Sequence, residues 1–269
     1  MLVLLPPSEG KAIGGSGPAA DPDALSLPEL APPRRRVLSG LVDLCEGDAN
    51  QVEKARAVLG LSPGLRGEVA RNAALRDAPA LPAGELYTGV LYDALDLATL
   101  SPAARERARS RLLIFSGLWG AVGVADRIAP YRCAAGVKLP GLGGLGAFWR
   151  SAMAEALPAA AGDGLVLDLR SSAYAAMWKP KGELADRTAT VQVWQVKQVD
   201  GVEQRSVVSH FNKATKGRLV RSLLEADADP ATPQELSRTL AELGHRVECT
   251  PPAKDGRPWQ LDVLVTEVH

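Results

Sequence analysis

The stretch Leu112–Arg132 reads LLIFSGLWGAVGVADRIAPYR, and the rest of the chain is arranged around it. Its first four residues, Leu112 to Phe115, are apolar and predict a buried strand. Ser116-Gly117 and Gly120 follow, small residues that suit a sharp turn or a close backbone approach. Asp126, Tyr131 and Arg132 then bring polar groups soon after a buried element ends, a common place for a site. Asp126 is the candidate acid/base group and Arg132 a candidate phosphate contact. Trp119 and Tyr131 are candidate cleft-lining aromatics.

Two other apolar runs repeat the theme. Met1–Leu5 predicts a short buried strand that empties into Pro6-Pro7-Ser8-Glu9-Gly10-Lys11. Ser8 and Lys11 with nearby backbone amides make a generic anion site, although the spacing of a P-loop is absent. Gly164–Leu169 predicts the cleanest buried strand, with Ser171 and Tyr174 just past its carboxyl end and Lys179 shortly after. Polar groups at that end of a strand are the general location of sites in α/β sheets. The glycine-rich Gly141–Gly146 follows no strand and lacks the dinucleotide spacing.

Pro32–Glu46 and Ala49–Leu59 read as helices, the first opening on Arg34, Arg35 and Arg36, which are expected to be solvated or turned to an acidic partner. A turn over Gly60–Gly67 leads to a third helical stretch through about Leu75. Helix, short glycine-containing turn, helix is the shape of a helix-hairpin-helix, in which turn amides and Arg66 meet a phosphate backbone. Tyr87-Thr88-Gly89 precedes a helix that Ser101-Pro102 starts again, with Arg105, Arg107, Arg109 and Arg111 as a solvated face. Thr190–Val199 and Gln204–Phe211 read as strands joined by a hairpin at Asp200-Gly201. Lys213, Lys216, Arg218 and Arg221 then open a helix, the densest anion signal in the chain. Thr232-Pro233 with Glu235 caps another helix, and Arg246–Thr250 and Trp259–Val268 close the chain as strands.

At 269 residues, with no repeat or convincing linker, a single domain spanning 1–269 is the expectation. Lys+Arg 31 against Asp+Glu 31 leaves no net charge, so a nucleic-acid partner must be met by a local basic patch. Cys45, Cys133 and Cys249 are far apart and odd in number, which fits small buried hydrophobes in a reducing cytosol. No segment approaches the ~20 apolar residues of a membrane span. The expectation is a soluble cytoplasmic protein, monomeric, without membrane contact. His210, His245 and His269 are scattered, so neither metal nor cofactor is expected.

Taken in order, LLPPSEGK, Tyr87-Thr88-Gly89, Ser116-Gly117-Leu118-Trp119-Gly120, Asp126, Pro130-Tyr131-Arg132, Phe148-Trp149, Leu169-x-Ser171-x-x-Tyr174, Lys179 and Lys213…Gly217 resemble the YaaA peroxide-stress family. The resemblance covers almost the whole chain. It implies an α+β fold, a mixed β-sheet surrounded by helices, with a basic cleft and a helix-hairpin-helix-like element that binds DNA. It also implies a link to peroxide tolerance through limiting free intracellular iron and oxidative DNA damage.

Two functions from different classes follow. The first is a DNA-binding stress protein, whose duplex or distorted DNA meets Ser8, Lys11, Arg66, Arg132, Lys179, Lys213, Lys216 and Arg218. The second is an enzyme acting on a nucleotide, nucleoside or nucleic-acid base in the same cleft. There Asp126, Ser171 and Tyr174 are the catalytic candidates, and Tyr87, Thr88, Trp119 and Tyr131 line the walls. A non-catalytic small-molecule or metal-binding module ranks below both.

Overall fold

Four consecutive buried apolar residues, Leu2–Leu5, form strand β1 in the interior of an eight-stranded mixed sheet. A strand covered on both faces needs apolar side chains at every position, and this run supplies them. The computed structural model describes residues 1–199, 202–207, 209–254 and 256–266. The remaining sheet strands are β2 (Leu112–Ser116), β3 (Gly120–Gly123), β4 (Val166–Asp168), β5 (Thr188–Val199), β6 (Val202–Val207), β7 (Arg246–Thr250) and β8 (Trp259–Val265). Their order is β7-β8-β5-β4-β1-β2-β3, with β6 paired to β5.

The centre of the sheet is parallel. β1 lies between β2 and β4, with Leu5 opposite Ile114 on one side and Leu4 opposite Asp168 on the other. β4 continues in parallel into β5, and β5 into β8. The chain leaves β1 for β2 on one side, whereas it leaves β4 for β5 on the other. Connections that diverge in this way open a crevice at the carboxyl ends of the two strands. The buried apolar residues from Leu2 to Val263 form one connected core, as expected of a single α+β fold.

Helices cover the sheet. The expected helix at Pro32–Glu46 is α1 (Ala31–Cys45), with prolines in its first turn where a missing N–H costs nothing. Arg34 corrects the expectation of a solvated or acid-paired cation. It is fully buried and donates to the carbonyls of Ser26, Trp119 and Ala121. Arg35 pairs with Asp23, and Arg36 lies over the Phe148 ring. The next two helices are α2 (Ala49–Val58) and α3 (Gly67–Ala73), joined through Gly60 and a 3-10 turn at Pro63–Leu65. α1 packs on both.

Cap chemistry follows the sequence. Ser101 accepts from the Ala104 amide at the start of the Pro102–Arg111 helix, and Thr232 from the Glu235 amide at the start of Pro233–Glu242. Of the arginines read as a solvated face, Arg107 and Arg111 instead reach carbonyls of Leu224 and Ala228.

One boundary is corrected. The strand expected over Gln204–Phe211 ends at Val207, and a helix runs over Ser209–Glu225. Its buried Leu219, Val220, Leu223 and Leu224 fall on one face at helical spacing, and that period extends the helix over residues read as the end of the strand. The helix packs on Val90–Leu95 so closely that a Cβ on Gly217 would sit 2.2 Å from the Leu91 carbonyl oxygen. β5 and β6 pair antiparallel from Val199 opposite Val202. The expected turn residues Asp200-Gly201 lie outside the described residues, as do the end of the Trp259–Val268 run and His269.

Candidate functional site

The crevice past β1 and β4 is built by loops that the parallel register delivers to one edge. β1 releases Ser8–Lys11, β2 ends at Ser116, and β4 runs into Leu169–Tyr174. Leu169 donates its amide to the Leu4 carbonyl, which ties the β4 exit to the β1 exit. On the other side Thr88 donates to the Gly10 carbonyl and Ala12 to the Leu86 carbonyl, so the Lys11 loop is held against Tyr87-Thr88-Gly89. Gly89 has φ +100°, and a Cβ there would lie 3.1 Å from the Ser8 hydroxyl.

Lys11 is half-buried in the loop past β1. Its Nζ lies 4.6 Å from the Tyr131 ring centre and 5.4 Å from that of Tyr87, and donates to the Ser8 carbonyl at 2.9 Å. Burial, and then the neighbouring Arg132 guanidinium, lower its pKa to about 8. Beneath it the tyrosines form a buried hydroxyl chain. Tyr87 and Tyr131 share a hydrogen bond of 2.8 Å, and Tyr131 and Ser116 one of 2.6 Å. Ser116 in turn accepts from the Trp119 amide. Burial pushes the Tyr131 hydroxyl well above its ordinary pKa and that of Tyr174 up to about 12, so both stay neutral donors at physiological pH.

Arg132 forms the outer wall. Asn72 of α3 clamps its backbone by donating to the Arg132 carbonyl and accepting from the Arg132 amide, while its side chain pairs with Glu9 at 2.8 Å. Tyr174 feels the charges of both Glu9 and Arg132, which places it on the same wall. Glu68 of α3 acts on Lys11, so the second helix of the α2–α3 pair borders the crevice.

At the β4 end, Lys216 of the Ser209–Glu225 helix reaches the Leu169 carbonyl at 3.5 Å; burial lowers its pKa, and the Asp168 charge offsets part of that. Asp168 is held by Arg170 through two short contacts of 2.8 and 2.6 Å. Arg170 is buried, stacks over Phe115 at 4.3 Å and donates to the Trp178 carbonyl.

The sequence-predicted residues therefore divide. Ser8, Lys11, Tyr87, Thr88, Tyr131, Arg132 and Tyr174 come together, with Lys216 at the far end. Ser171 and Lys213 are exposed on the bordering segments. Arg218 is exposed on the same helix. Trp119 is entirely buried, so it supports the floor and does not line an open cleft. Lys179 lines another concavity with Arg150, Trp178 and Lys181. Arg66 pairs with Glu53 on the outer turn of α2–α3. Asp126 accepts from the Ser26 amide and hydroxyl and from the Gly123 amide, a clasp between loops a hundred residues apart. Its oxygens are committed to that structural work.

A further concavity of about 730 Å³ shares Tyr87 and Thr88 with the crevice and has a mixed lining, Glu85, Asp93 and Asp96 with Arg105 and Arg109. Sequence reading missed Asp168, Arg170 and Asn72. The signal for the first two was a carboxylate and a guanidinium at the end of an otherwise apolar strand, GLVLDLR. Cys45 and Cys133 are buried and their thiols pushed up to about 11 and 12, so little thiolate exists at neutral pH. Among the described residues no three His, Cys, Asp or Glu side chains gather as a metal site, and no helix is long and apolar enough to cross a membrane.

Comparison with known proteins gives the chain its relatives. The family described as "Peroxide stress protein YaaA" matches residues 1–248. A UPF0246 protein of Streptomyces coelicolor is 65% identical over 269 residues, all of both chains. One of Corynebacterium efficiens is 40% identical over 98% of this chain and 100% of its own. A Shewanella protein is 35% identical over about half of each, 53%. With an ordered set of motifs, a matching profile and full-length relatives in agreement, this chain belongs to the YaaA peroxide stress protein family.

Proposed function

We propose that the protein binds DNA, duplex or distorted, in the crevice beyond β1 and β4, and that it serves peroxide stress there. The observation that carries this reading is that Lys11, Arg132 and Lys216, more than eighty residues apart along the chain, lie past the carboxyl ends of β1 and β4, Arg132 beside Lys11 and Lys216 at the Leu169 carbonyl. Cations drawn from separate elements suit a phosphate backbone, and the half-buried Tyr174 near Arg132 suits contact with an unstacked base. The turn between α2 and α3, with Arg66, is a second phosphate contact in this reading, as in a helix-hairpin-helix. In the same reading the protein helps limit free intracellular iron and, with it, oxidative DNA damage.

Fluorescence anisotropy with a labelled duplex tests the reading. Affinity is expected to fall steeply with salt, since each neutralised phosphate releases counterions. Binding that ignores salt, or no binding at low salt, would refute it. The alternative, an enzyme acting on a nucleotide, nucleoside or base, draws support from one observation. The buried Ser116–Tyr131–Tyr87 hydroxyl chain beneath an amine is more than phosphate attraction requires.

A further inference from the structure

A lysine that serves only to attract phosphate works best as an exposed, fully charged ammonium. Lys11 is placed otherwise. Its Nζ is pressed against the faces of Tyr131 and Tyr87, and the hydrogen bond given to it goes to a neutral carbonyl, that of Ser8. Among the described residues no carboxylate lies within ion-pairing distance of it, because Glu9 is taken by Arg132 and Glu68 by Arg71. Arg132 stands beside it as a cation that cannot lose its proton. One cation is therefore built to hold an anion and the other to shed charge. We propose that Lys11 is a nucleophilic amine that captures, as an imine, the aldehyde of a ligand carrying a phosphate ester.

Two sources share that chemistry: the ring-opened sugar of an abasic site in DNA, and a free sugar phosphate in its aldehyde form. The inference rests on the reading of the crevice as a phosphate site. In the step, the Nζ lone pair bonds to the carbonyl carbon while the C=O π pair moves to oxygen. A proton passes from nitrogen to that oxygen, giving a carbinolamine. The nitrogen then loses a second proton as its pair closes the C=N bond and the hydroxyl departs with that proton as water. Amine plus aldehyde gives imine plus water, with nothing oxidised or reduced. The faces of Tyr131 and Tyr87 flank Nζ, and solvent water carries the moving protons. The lowered basicity of Lys11 leaves far more free amine near neutral pH than an ordinary lysine has.

The test is reductive trapping of the intact protein with borohydride, followed by peptide mass spectrometry. One arm uses an oligonucleotide duplex with a single abasic site, a second the same duplex intact, and a third glyceraldehyde 3-phosphate. The expected result is a reduced adduct on Lys11, in about tenfold or greater excess over any exposed lysine such as Lys179 or Lys213. Its absence from the intact-duplex arm is also expected. Dominance of the abasic arm assigns the DNA source, and dominance of the third arm the free sugar phosphate. Adducts spread over surface lysines, or none on Lys11, overturn the proposal. Anisotropy with the intact duplex, run in parallel, separates the two readings. Salt-dependent binding without a Lys11 adduct removes only this inference, whereas a Lys11 adduct in the third arm without duplex binding removes only the DNA reading. The localisation is made on the wild-type chain, so no variant has to fold.

Discussion

The carboxyl edge of β1, β2 and β4 and the outer wing of β6 and β7 use the same arginines and carboxylates with opposite results. On the wing Arg205 makes a two-pronged contact with Glu248 at 2.7 and 2.8 Å, and Arg246 pairs with Glu203 at 2.9 Å. These side chains stand in water, where ion pairing is screened and side-chain entropy opposes it. At the central edge Arg170 and Asp168 are buried and Lys11 and Lys216 half-buried, so each charge must be matched, shed or used. Good ion-pair geometry therefore says little about importance. Position relative to the parallel core decides it.

The contrast can be broken by substitution. The largest effect is expected from Asp168→Ala, which strands the buried Arg170 guanidinium. Losing one partner of a buried pair costs about 3–5 kcal/mol, which is a fall in Tm of roughly 10 °C for a chain of this size. A shift no larger than a surface variant gives would show that solvent reaches the pair. Next comes Tyr131→Phe, which takes away the hydroxyl joining Tyr87 to Ser116. It is expected to cost about 1–3 kcal/mol in urea unfolding, because a buried hydroxyl loses its partner. An unchanged midpoint would mean that the chain carries no weight.

Lys11→Met is expected to stabilise the protein by a few degrees at pH 7. The amine binds its proton more weakly folded than unfolded, so the folded state gains stability as pH rises from about 8 to 10.5. Below about 8 the penalty of burying the charge is fully present. The gap between variant and wild type should therefore close across that window. The groups acting on Lys11 are Arg132, Glu68, Glu9 and Cys133, with the rings of Tyr87 and Tyr131 against it. A gap that stays constant with pH would place the amine in water. The smallest effect belongs to Arg205→Ala on the wing, expected to move Tm by about 1 °C or less.

Local chemistry made much of the fold legible. The apolar runs at Met1–Leu5 and Leu112–Phe115 became central parallel strands, and Ser101 and Thr232 cap the helices they were expected to cap. What sequence could not show depends on partners far along the chain. Arg34 reads as a surface cation until the carbonyls of Trp119 and Ala121 come to it, and Asp126 reads as an acid until Ser26 occupies it. The start of the Ser209–Glu225 helix was hidden because it follows directly on a strand, and its packing on Val90–Leu95 lies far away along the chain. In the site, the sequence placed Lys11, Arg132 and Tyr174 just past strand ends, and they lie there. The division of labour between Lys11 and Arg132 needed burial, which composition does not encode.

Removing equal charge from the two regions gives the sharpest test of whether the edge cations hold phosphate. Salt titrations of duplex binding would compare the wild type with Arg132→Ala/Lys216→Ala at the edge and Arg205→Ala/Arg246→Ala on the wing. Loss of two phosphate contacts lowers the slope of log affinity against log salt by about two, so the edge pair should show that change and the wing pair none. Equal losses from both pairs, or a loss from the wing alone, would contradict a phosphate site at the carboxyl ends of β1 and β4.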